Sequence, residues 1–269
     1  MRLKVISPSN ARLKIARSLL SRTGILRHGL FLMEGPRFVS DYLSRGTPEW
    51  IFISEEASPL AAAAVEETVR RNIDVLEIPG KLFAGISNTE TSQGITAVCP
   101  LPSVNIDDIP REGVFLLLDG ISDPGNMGAI IRSAAAFGCT AIIAGKAGCC
   151  PFTPKVTRAA AGMNSTVPVI FDTDLAAFME SNSDVIEFIG ADASGGEIDR
   201  LHGIDGTLGL VIGSEAHGIS EDTGKHLSGR VAIPMAGGVE SLNAAVSASI
   251  LLFETYKHLG PVFLKGGTG

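Results

Sequence analysis

The sequence predicts an α/β protein whose C-terminal part is built on a parallel sheet. From residue 113 onward, apolar runs of strand length, such as Val114–Leu118 and Leu208–Ile212, alternate with helical segments. This alternation is typical of parallel strands that are joined by helices and covered on both faces. The composition agrees, since 45% of the 269 residues are hydrophobic and 31 Gly and 14 Pro supply tight turns.

A Pro-containing stretch divides the chain into two predicted domains. Pro100 and Pro102 open a segment without helical or strand periodicity, and Pro110 lies near its end. We therefore predict domains at residues 1–100 and 113–269, joined by a linker at 101–112. No window approaches 18 uninterrupted apolar residues, so the sequence predicts no transmembrane helix.

The N-terminal domain is predicted to be a small α/β unit. Its elements are predicted from apolar periodicity and from start signals such as Ser9-Asn10, which is typical of a helix N-terminus. In chain order they are a helix at 10–20, a strand at 30–33, a helix at 37–45, a strand at 50–54, a helix at 57–71, and strands at 75–78 and 96–98.

The C-terminal domain is predicted to contain six strands, at residues 114–118, 141–144, 167–170, 186–191, 208–212 and 230–233. A helix is predicted at Ala129–Phe137, where Gly138 stops it. Arg132 is its only charge and is predicted to lie in the first turn. The positive end of the helix dipole opposes an Arg there, so helix stability does not explain this residue.

Three loops at predicted strand ends are candidate ligand sites. They cover residues 119–128, 213–220 and 233–243, and the second carries Glu215 and His217. Ligands bind at the carboxyl ends of strands in open α/β sheets, and Gly-rich loops leave backbone groups accessible to a flat ligand. Ser241 is predicted to be the N-cap of a long final helix with Asn243 in its first turn. Taken alone, the loop at 233–243 fits an ordinary packing corner equally well.

Small and apolar residues recur at helical spacing in that final helix, to about His258, and are expected to need a partner surface. They are Ala244, Ala245, Ala248, Leu251 and Leu252.

Charge is distributed unevenly along the chain. The formal net charge is −7, yet residues 1–46 hold nine Lys and Arg against two Asp and Glu, so this segment carries +7 and the remainder −14. A basic face on an acidic body is typical of nucleic-acid contact, and Arg12, Arg17, Arg22 and Arg37 are candidate nucleic-acid-binding residues. A solvated helix face and a cleavable targeting peptide remain alternatives, since no acid precedes Glu34.

The four cysteines are expected to be reduced thiols of a cytoplasmic protein. Cys99, Cys139, Cys149 and Cys150 form no C-x-x-C pair, so neither a zinc site nor a disulfide is predicted. We predict no metal site.

Taken together, the three loops resemble the signature motifs of the SpoU-type (TrmH-like) RNA ribose 2′-O-methyltransferases of the SPOUT superfamily. The matching stretches are Asp123–Arg132, Gly213–Ile219 and Ile233–Ala245. Lys155–Met163 resembles the helix that the family places between its first two motifs. The N-terminal part resembles the family's substrate-binding domain at Ser7–Asn10, Phe31–Arg37 and Thr91–Ile95. Ala216 stands where many relatives have Gly, which we expect to be tolerated unless that position needs a positive φ.

The resemblance implies a fold, a cofactor and a substrate. The expected fold has a small N-terminal α/β RNA-binding domain and a SPOUT parallel-sheet domain with a deep C-terminal trefoil knot, paired as a homodimer through the C-terminal domain. S-adenosylmethionine is the implied cofactor, and RNA is the implied substrate, with ribosomal RNA preferred over transfer RNA. The implied cofactor-binding residues are Gly213, Glu215, Gly218, Ile233, Met235, Ser241, Leu242 and Asn243.

The implied catalytic residues are Arg132, Asn126, Glu215 and Asn243. Asn126 and Asn243 are expected to fix Arg132 or the ribose, and Glu215 to anchor Arg132 or the motif loops. Proposals for the family often make this Arg the base. Because a guanidinium keeps its proton up to a pKa above about 12, orienting the nucleotide and stabilising a developing alkoxide is an equally physical role.

There are four alternative functions. A nucleotide-binding dehydrogenase is disfavoured because no G-x-G-x-x-G follows the first strand of the C-terminal domain, and no P-loop pattern occurs. A non-catalytic RNA-binding or ribosome-assembly factor on the same fold stays open, as does a transfer-RNA ribose methyltransferase. A SPOUT enzyme that methylates a base nitrogen is disfavoured by Asn126 and Arg132.

Overall fold

The structure is a computed structural model that describes residues 2–89, 91–204, 206–237 and 241–259. The chain forms two compact units. The first unit comprises Met1–Pro102 and Phe152–Ser165, and the second comprises Ser103–Pro151 and Thr166–Gly269. Within the described ranges, none of the helices has the length and hydropathy needed to cross a membrane.

Up to the linker, strands and helices alternate as predicted, with three short elements that the sequence did not predict. In chain order they are β1 (Arg2–Lys4), α1 (Ala11–Ser18), α2 (Arg22–His28), β2 (Leu30–Glu34), α3 (Pro36–Leu43), β3 (Trp50–Ser54), α4 (Pro59–Arg70), β4 (Asp74–Ile78), α5 (Gly80–Ala84) and β5 (Ile95–Pro100). The unpredicted elements β1, α2 and α5 are three, seven and five residues long, too short to show a period.

After the linker, strands and helices again alternate along most of the chain. The elements are β6 (Val114–Asp119), α6 (Pro124–Ala136), β7 (Ala141–Gly145), α7 (Pro154–Ala159), β8 (Val169–Thr173), α8 (Leu175–Asn182), β9 (Ile186–Gly196), β10 (Thr207–Gly213), α9 (Glu221–Gly224), β11 (Gly229–Val231) and α10 (Ala244–Leu259). Short 3₁₀ turns lie at Ile106–Asp108 before β6, at Met163–Ser165 before β8 and at Ile198–Gly203 before β10.

The first unit is built on a mixed sheet in the order β1-β4-β3-β5-β2. β1 and β3 both pair in parallel with β4, whereas β5 runs antiparallel to β3 and β2. All five residues of β3 are buried, which places this strand at the centre of the unit.

A segment from the second half of the sequence completes the first unit. Phe152 is fully buried and its ring lies 5.3 Å from that of Phe31 in an edge-to-face arrangement. Gly162 has a φ of +78° and approaches Met33 of β2. α7 therefore packs on β2, although it falls within the range 113–269 that was predicted as one domain. The exact domain boundaries stay a prediction.

The second unit contains the predicted parallel sheet. Its order is β11-β9-β10-β6-β7-β8, and all five pairings are parallel. On one face, Phe115 and Leu117 of β6 pack in a core cluster with Met179 of α8. Leu116 and Leu118 point to the opposite face and are also buried, so both faces of the sheet are covered.

Two predicted helix starts were wrong. α6 begins at Pro124 instead of Ala129, because Asp123 is the N-cap and its carboxylate accepts a hydrogen bond from Asn126 N at 2.8 Å. Arg132 therefore lies in the third turn, where the dipole argument does not apply. α10 begins at Ala244, since Asn243 Oδ1 rather than Ser241 accepts from the first free amides.

Removing the Phe152 ring should destabilise the first unit. Phe152→Ala leaves a cavity against Phe31 and should lower the free energy of unfolding by about 3–5 kcal/mol, measured by urea denaturation. Hydrogen exchange should show lost protection at Leu30–Glu34. Leu60→Ala, at a side chain that is 55% exposed on α4, should cost far less. Unchanged protection of β2 in Phe152→Ala would contradict this packing.

Candidate functional site

The predicted motif loops meet at the carboxyl edge of the second sheet. β6 and β10 are neighbours with Gly213 in register with Asp119, so the loops that follow them begin side by side. The chain continues from β6 to β7 on one side, while β9 lies on the other side of β10. This is the point where strand order reverses, and ligands bind at such points in open α/β sheets.

The loop after β10 closes on itself. Ser214 and Gly218 exchange two backbone hydrogen bonds, of 3.0 and 2.9 Å. A Cβ on Gly213 would lie 2.1 Å from the carbonyl carbon of Gly218, so only Gly allows this closure. Ala216 does not have a positive φ, so the backbone conformation that would have strained Ala at this position is not present. His217 is exposed, and its backbone N–H donates to Ser214 Oγ.

A cavity of about 420 Å³ lies beside this loop in the second unit. All eight residues that the sequence proposed as cofactor contacts line it: Gly213, Glu215, Gly218, Ile233, Met235, Ser241, Leu242 and Asn243. Residues from β9 and α10 complete the wall. The predicted loop also includes Gly238, Val239 and Glu240, which lie outside the described residues.

Three of the four predicted catalytic residues form one hydrogen-bonded chain. Asn126 Nδ2 donates to Glu215 Oε1, and Asn243 Nδ2 donates to Asn126 Oδ1 at 2.9 Å. Asn243 Oδ1 in turn accepts from Ala245 N at 2.9 Å, at the start of α10. The chain links α6, the loop after β10 and α10. Glu215 therefore anchors Asn126, not Arg132.

Arg132 lies apart from this chain of hydrogen bonds. It is exposed, and within the described ranges its guanidinium has neither a hydrogen bond nor an ion pair. Its neighbours on the exposed side of α6 are Gly125, Ala129 and Ala136, whose small side chains leave the guanidinium accessible. The expectation that Asn126 or Glu215 fixes Arg132 directly is not what this structure shows.

Sequence reasoning missed a clamp in the cavity wall. Arg230 pairs with Gly190 but Val231 pairs with Gly196, so residues 191–195 bulge out of β9. Asp192, which lines the cavity, accepts from Ser194 N at 2.9 Å and Oγ at 2.7 Å, and from Arg230 Nη1 at 2.6 Å. The bonds from Ser194, and then the one from Arg230, hold the pKa of Asp192 below its usual value. The Asp-Ala-Ser spacing is a turn signal that could have revealed half of this clamp.

The surroundings of Cys149 favour the protonated thiol. Burial, the neighbouring Cys150 thiol and the carboxylates of Asp123 and Glu215 raise the pKa of Cys149 to about 11. The thiol therefore stays protonated near neutral pH. All four cysteines are free, and the described part of the chain holds no cluster of His, Cys, Asp and Glu suited to a metal ion.

The predicted RNA-binding arginines lie in the first unit in different surroundings. Arg12 forms an ion pair with Asp74 at 2.9 Å and lies over the Trp50 ring. Arg17 Nη1 donates to Pro8 O at 3.1 Å. Arg22 and Arg37 occupy the first turns of α2 and α3, and Arg37 is exposed.

Comparison with known proteins identifies two families. The profile of the SpoU rRNA methylase family matches residues 113–253, and that of the MRM3-like substrate binding domain matches residues 10–97. The Xanthomonas axonopodis protein named 23S rRNA (guanosine-2′-O-)-methyltransferase RlmB is 31% identical over 210 residues, which are 74% of this chain and 84% of the relative. An uncharacterized tRNA/rRNA methyltransferase of Mycolicibacterium smegmatis is 33% identical over 77% of this chain and 69% of its own length.

Solved structures agree over nearly the whole chain. The AdoMet-bound rRNA methyltransferase from Sinorhizobium meliloti superposes with a TM-score of 0.82 at 26% identity, covering 96% of this chain and 99% of that one. The SpoU methyltransferase AviRb from Streptomyces viridochromogenes, in complex with AdoMet, has a TM-score of 0.79 at 28% identity, with 92% and 97% covered.

Replacing Asn126 by Asp should make stability depend on pH. Asn126→Asp sets a second carboxylate against Glu215, which raises the pKa of the pair above its unfolded value. The folded state then keeps a proton that the unfolded state has released, so stability falls as the pH rises through that raised pKa. Because the pair is exposed, we expect the free energy of unfolding of the variant to be lower by only about 1 kcal/mol more at pH 8 than at pH 4.5.

Urea unfolding at both pH values measures this difference. The control is Asn72→Asp, which adds the same charge at an exposed position after α4. Its free energy of unfolding should differ from that of the wild type by the same amount at both pH values. An equal loss at both pH values in Asn126→Asp would show that Glu215 does not contact residue 126.

Proposed function

The chain belongs to the SpoU rRNA methylase family, and we propose that it transfers a methyl group from S-adenosylmethionine to a ribose 2′-oxygen of RNA. The observation that carries this is the cavity of the second unit, whose wall contains every residue that the motifs single out for cofactor contact. Relatives named as 23S rRNA methyltransferases favour ribosomal RNA over transfer RNA. The linked Glu215, Asn126 and Asn243 side chains disfavour a non-catalytic factor.

The cavity fits an adenosyl cofactor. Its volume of about 420 Å³ lies in the range of roughly 300–1,000 Å³ typical of small-molecule sites. Ile233, Met235 and Leu242 supply apolar wall for a purine, and the ends of β10 and β11 supply backbone groups for its edge. The carboxylates of Glu215 and Asp192 suit a cationic ligand. When bound, S-adenosylmethionine supplies an electrophilic methyl group on a sulfonium.

The residues of the site have separable tasks. Transfer requires the 2′-oxygen to be held in line with the methyl group, so orientation is a large part of catalysis. The chain from Glu215 through Asn126 to Asn243 fixes the loops around the cavity. We assign Arg132 to the nucleotide: its accessible guanidinium can hold a phosphate and stabilise a developing alkoxide. A guanidinium does not release its proton in proteins, which disfavours a role as base.

We propose a homodimer through α6 and α10. The helices pack together, with Ser133 Oγ 2.7 Å from Ser249 Oγ, so their outer sides form one surface that carries Arg132. Val246 and Phe253 of α10 are 46% and 45% exposed on this surface. The small and apolar residues that were predicted to need a partner are instead buried within the unit. They are Ala244, Ala245, Ala248, Leu251 and Leu252. Val246 and Phe253 are therefore the ones left for a second copy.

We also propose the trefoil knot that family membership implies. β11 lies at the sheet edge beyond β9, whereas α10 packs back against α6, which is the kind of return that a knotted path requires. Residues 238–240, which join the two, lie outside the described residues.

RNA capture is assigned to the first unit. This unit carries 14 Lys and Arg against 10 Asp and Glu, while the second carries 8 against 19. Arg12, Arg17, Arg22 and Arg37 are the proposed phosphate contacts. To bind a phosphate, Arg12 would have to break its ion pair with Asp74. Arg37 is already exposed.

The function is tested by separating cofactor binding from transfer. The wild-type protein should bind S-adenosylmethionine and S-adenosylhomocysteine in calorimetry without RNA. Arg132→Ala should keep that affinity and lose methyl transfer by about 10²–10³-fold, as when one transition-state donor is removed.

The matched control is Arg111→Ala, an exposed Arg that precedes β6, at the end of the strand opposite the loops. Its turnover should equal that of the wild type. The cofactor assignment is lost if no ligand binds at millimolar concentration, and the role of Arg132 is lost if its Ala variant turns over normally.

The dimer is tested at Val246. Val246→Asp places a charge on the exposed surface of α10 and should weaken dimerisation at least about 100-fold, since an unpaired buried charge costs several kcal/mol. Analytical ultracentrifugation measures this, with Leu60→Asp as the control, because Leu60 is 55% exposed on α4 of the first unit. A wild-type protein that is fully active as a monomer would contradict the proposal.

A further inference from the structure

One carboxylate organises a surface loop of the first unit. Glu34 Oε1 accepts from Ser87 Oγ at 2.6 Å, Thr89 Oγ1 at 2.9 Å and Ser92 Oγ at 2.7 Å, while Oε2 accepts from Asn88 N at 3.1 Å. Hydrogen bonds to an ionised acceptor are stronger than those between neutral groups. Glu34 thus fixes the positions of Ser87, Asn88, Thr89 and Ser92 in the loop before β5. Glu90 of the same loop lies outside the described residues.

The outer side of this loop carries polar groups that the fold does not use. Asn88, Thr91 and Gln93 are exposed, and among the described residues their side chains have no hydrogen-bond partner. Ordering a residue costs about 1–2 kcal/mol of conformational entropy. A loop that is ordered yet directs its amides and hydroxyl to the outside is suited to binding, because rigid loops place such groups precisely.

Two guanidinium groups flank the loop. Arg158 of α7 is exposed and donates from Nη1 to Asn88 O at 2.8 Å, so its remaining N–H groups face outward. On the other side, a Cβ on Gly85 would lie 3.4 Å from Arg17 Nε, which places that guanidinium where the loop begins. Lys155 is exposed one turn before Arg158. In the part of the chain that the structure describes, no carboxylate pairs with any of the three.

We propose that Asn88, Thr91 and Gln93 of this loop, together with Arg158 and Arg17, form a contact site for the sugar–phosphate backbone of RNA, and that Glu34 is its positioning residue. Planar guanidinium groups match phosphate oxygens, and side-chain amides and hydroxyls bind phosphates and 2′-hydroxyls. Among the described residues of the site, the three cations Arg17, Lys155 and Arg158 outnumber the one carboxylate, Glu34, which favours RNA over a protein partner. The proposal rests on the proposed function, in that the substrate is RNA. It also assigns Arg158, which lies inside the methylase match, to substrate binding.

The site is tested by filter binding of a 23S ribosomal RNA transcript at several salt concentrations. Arg158→Ala should weaken binding about 10-fold and lower the slope of log affinity against log salt by about 0.7–0.9, the value for one lost phosphate contact. Arg70→Ala removes the same charge from an exposed, ion-paired site on α4 and should change neither quantity. Arg158→Lys keeps the charge, so it should retain the wild-type salt slope and bind the transcript with an affinity between those of the wild type and Arg158→Ala. This second variant keeps the test valid if Arg158→Ala fails to fold.

Glu34→Gln separates positioning from electrostatics. Removing a negative charge should by itself strengthen RNA binding, whereas loosening the loop should weaken it at an unchanged salt slope. We expect binding about 5–10-fold weaker, with cofactor affinity measured by calorimetry the same as in the wild type.

Wild-type affinity in Arg158→Ala would overturn the site, and tighter binding by Glu34→Gln would overturn the positioning role. A wild-type protein that binds the transcript but never methylates any RNA would instead count against the proposed function, and leave the loop as an RNA site.

Discussion

The orientation of one amide side chain holds the site together. Glu215 can only accept a hydrogen bond, so Asn126 must present Nδ2 to it and Oδ1 to Asn243. Asn243 must then donate from Nδ2, which leaves its Oδ1 for the first free amides of α10. A carboxylate at one end and a helix N-terminus at the other fix the direction of every bond between them. These bonds fix the start of α6, the loop after β10 and the start of α10 relative to one another, and the cavity wall depends on their positions.

The two units differ in net charge, and the difference matches the ligand proposed for each. The second unit is acidic and places Glu215 and Asp192 at a cavity suited to a cationic cofactor, while the first unit has the basic excess that RNA requires. Arg132 is an exposed cation on α6 of this acidic unit. Because it takes no part in the hydrogen-bonded chain, it can bind a phosphate without disturbing the cavity. Its separation from the network thus supports a role toward the nucleotide.

Much of the second unit was predictable because its signals are local. Continuous apolar runs predict buried parallel strands, and the motif loops follow them directly, which is why all eight proposed cofactor contacts share one cavity. The failures were of two kinds. Pro124-Gly125-Asn126 has the composition of a turn, and only the capping bond from Asp123 makes it the first turn of α6. The pairing of Asp192 with Arg230 joins residues that no periodicity connects.

The packing of Phe152 on Phe31 has the same non-local origin and a larger consequence. The chain passes between the two units at Pro102, Pro151 and Ser165, so neither unit is a continuous stretch of sequence. A fragment cut at residue 100 would lack the ring that covers Phe31 and the guanidinium that holds Asn88 O. Its β2 would expose apolar surface that the whole chain buries. A boundary drawn from composition at 101–112 marks where the sequence pattern changes, whereas the folded first unit also needs residues 152–165.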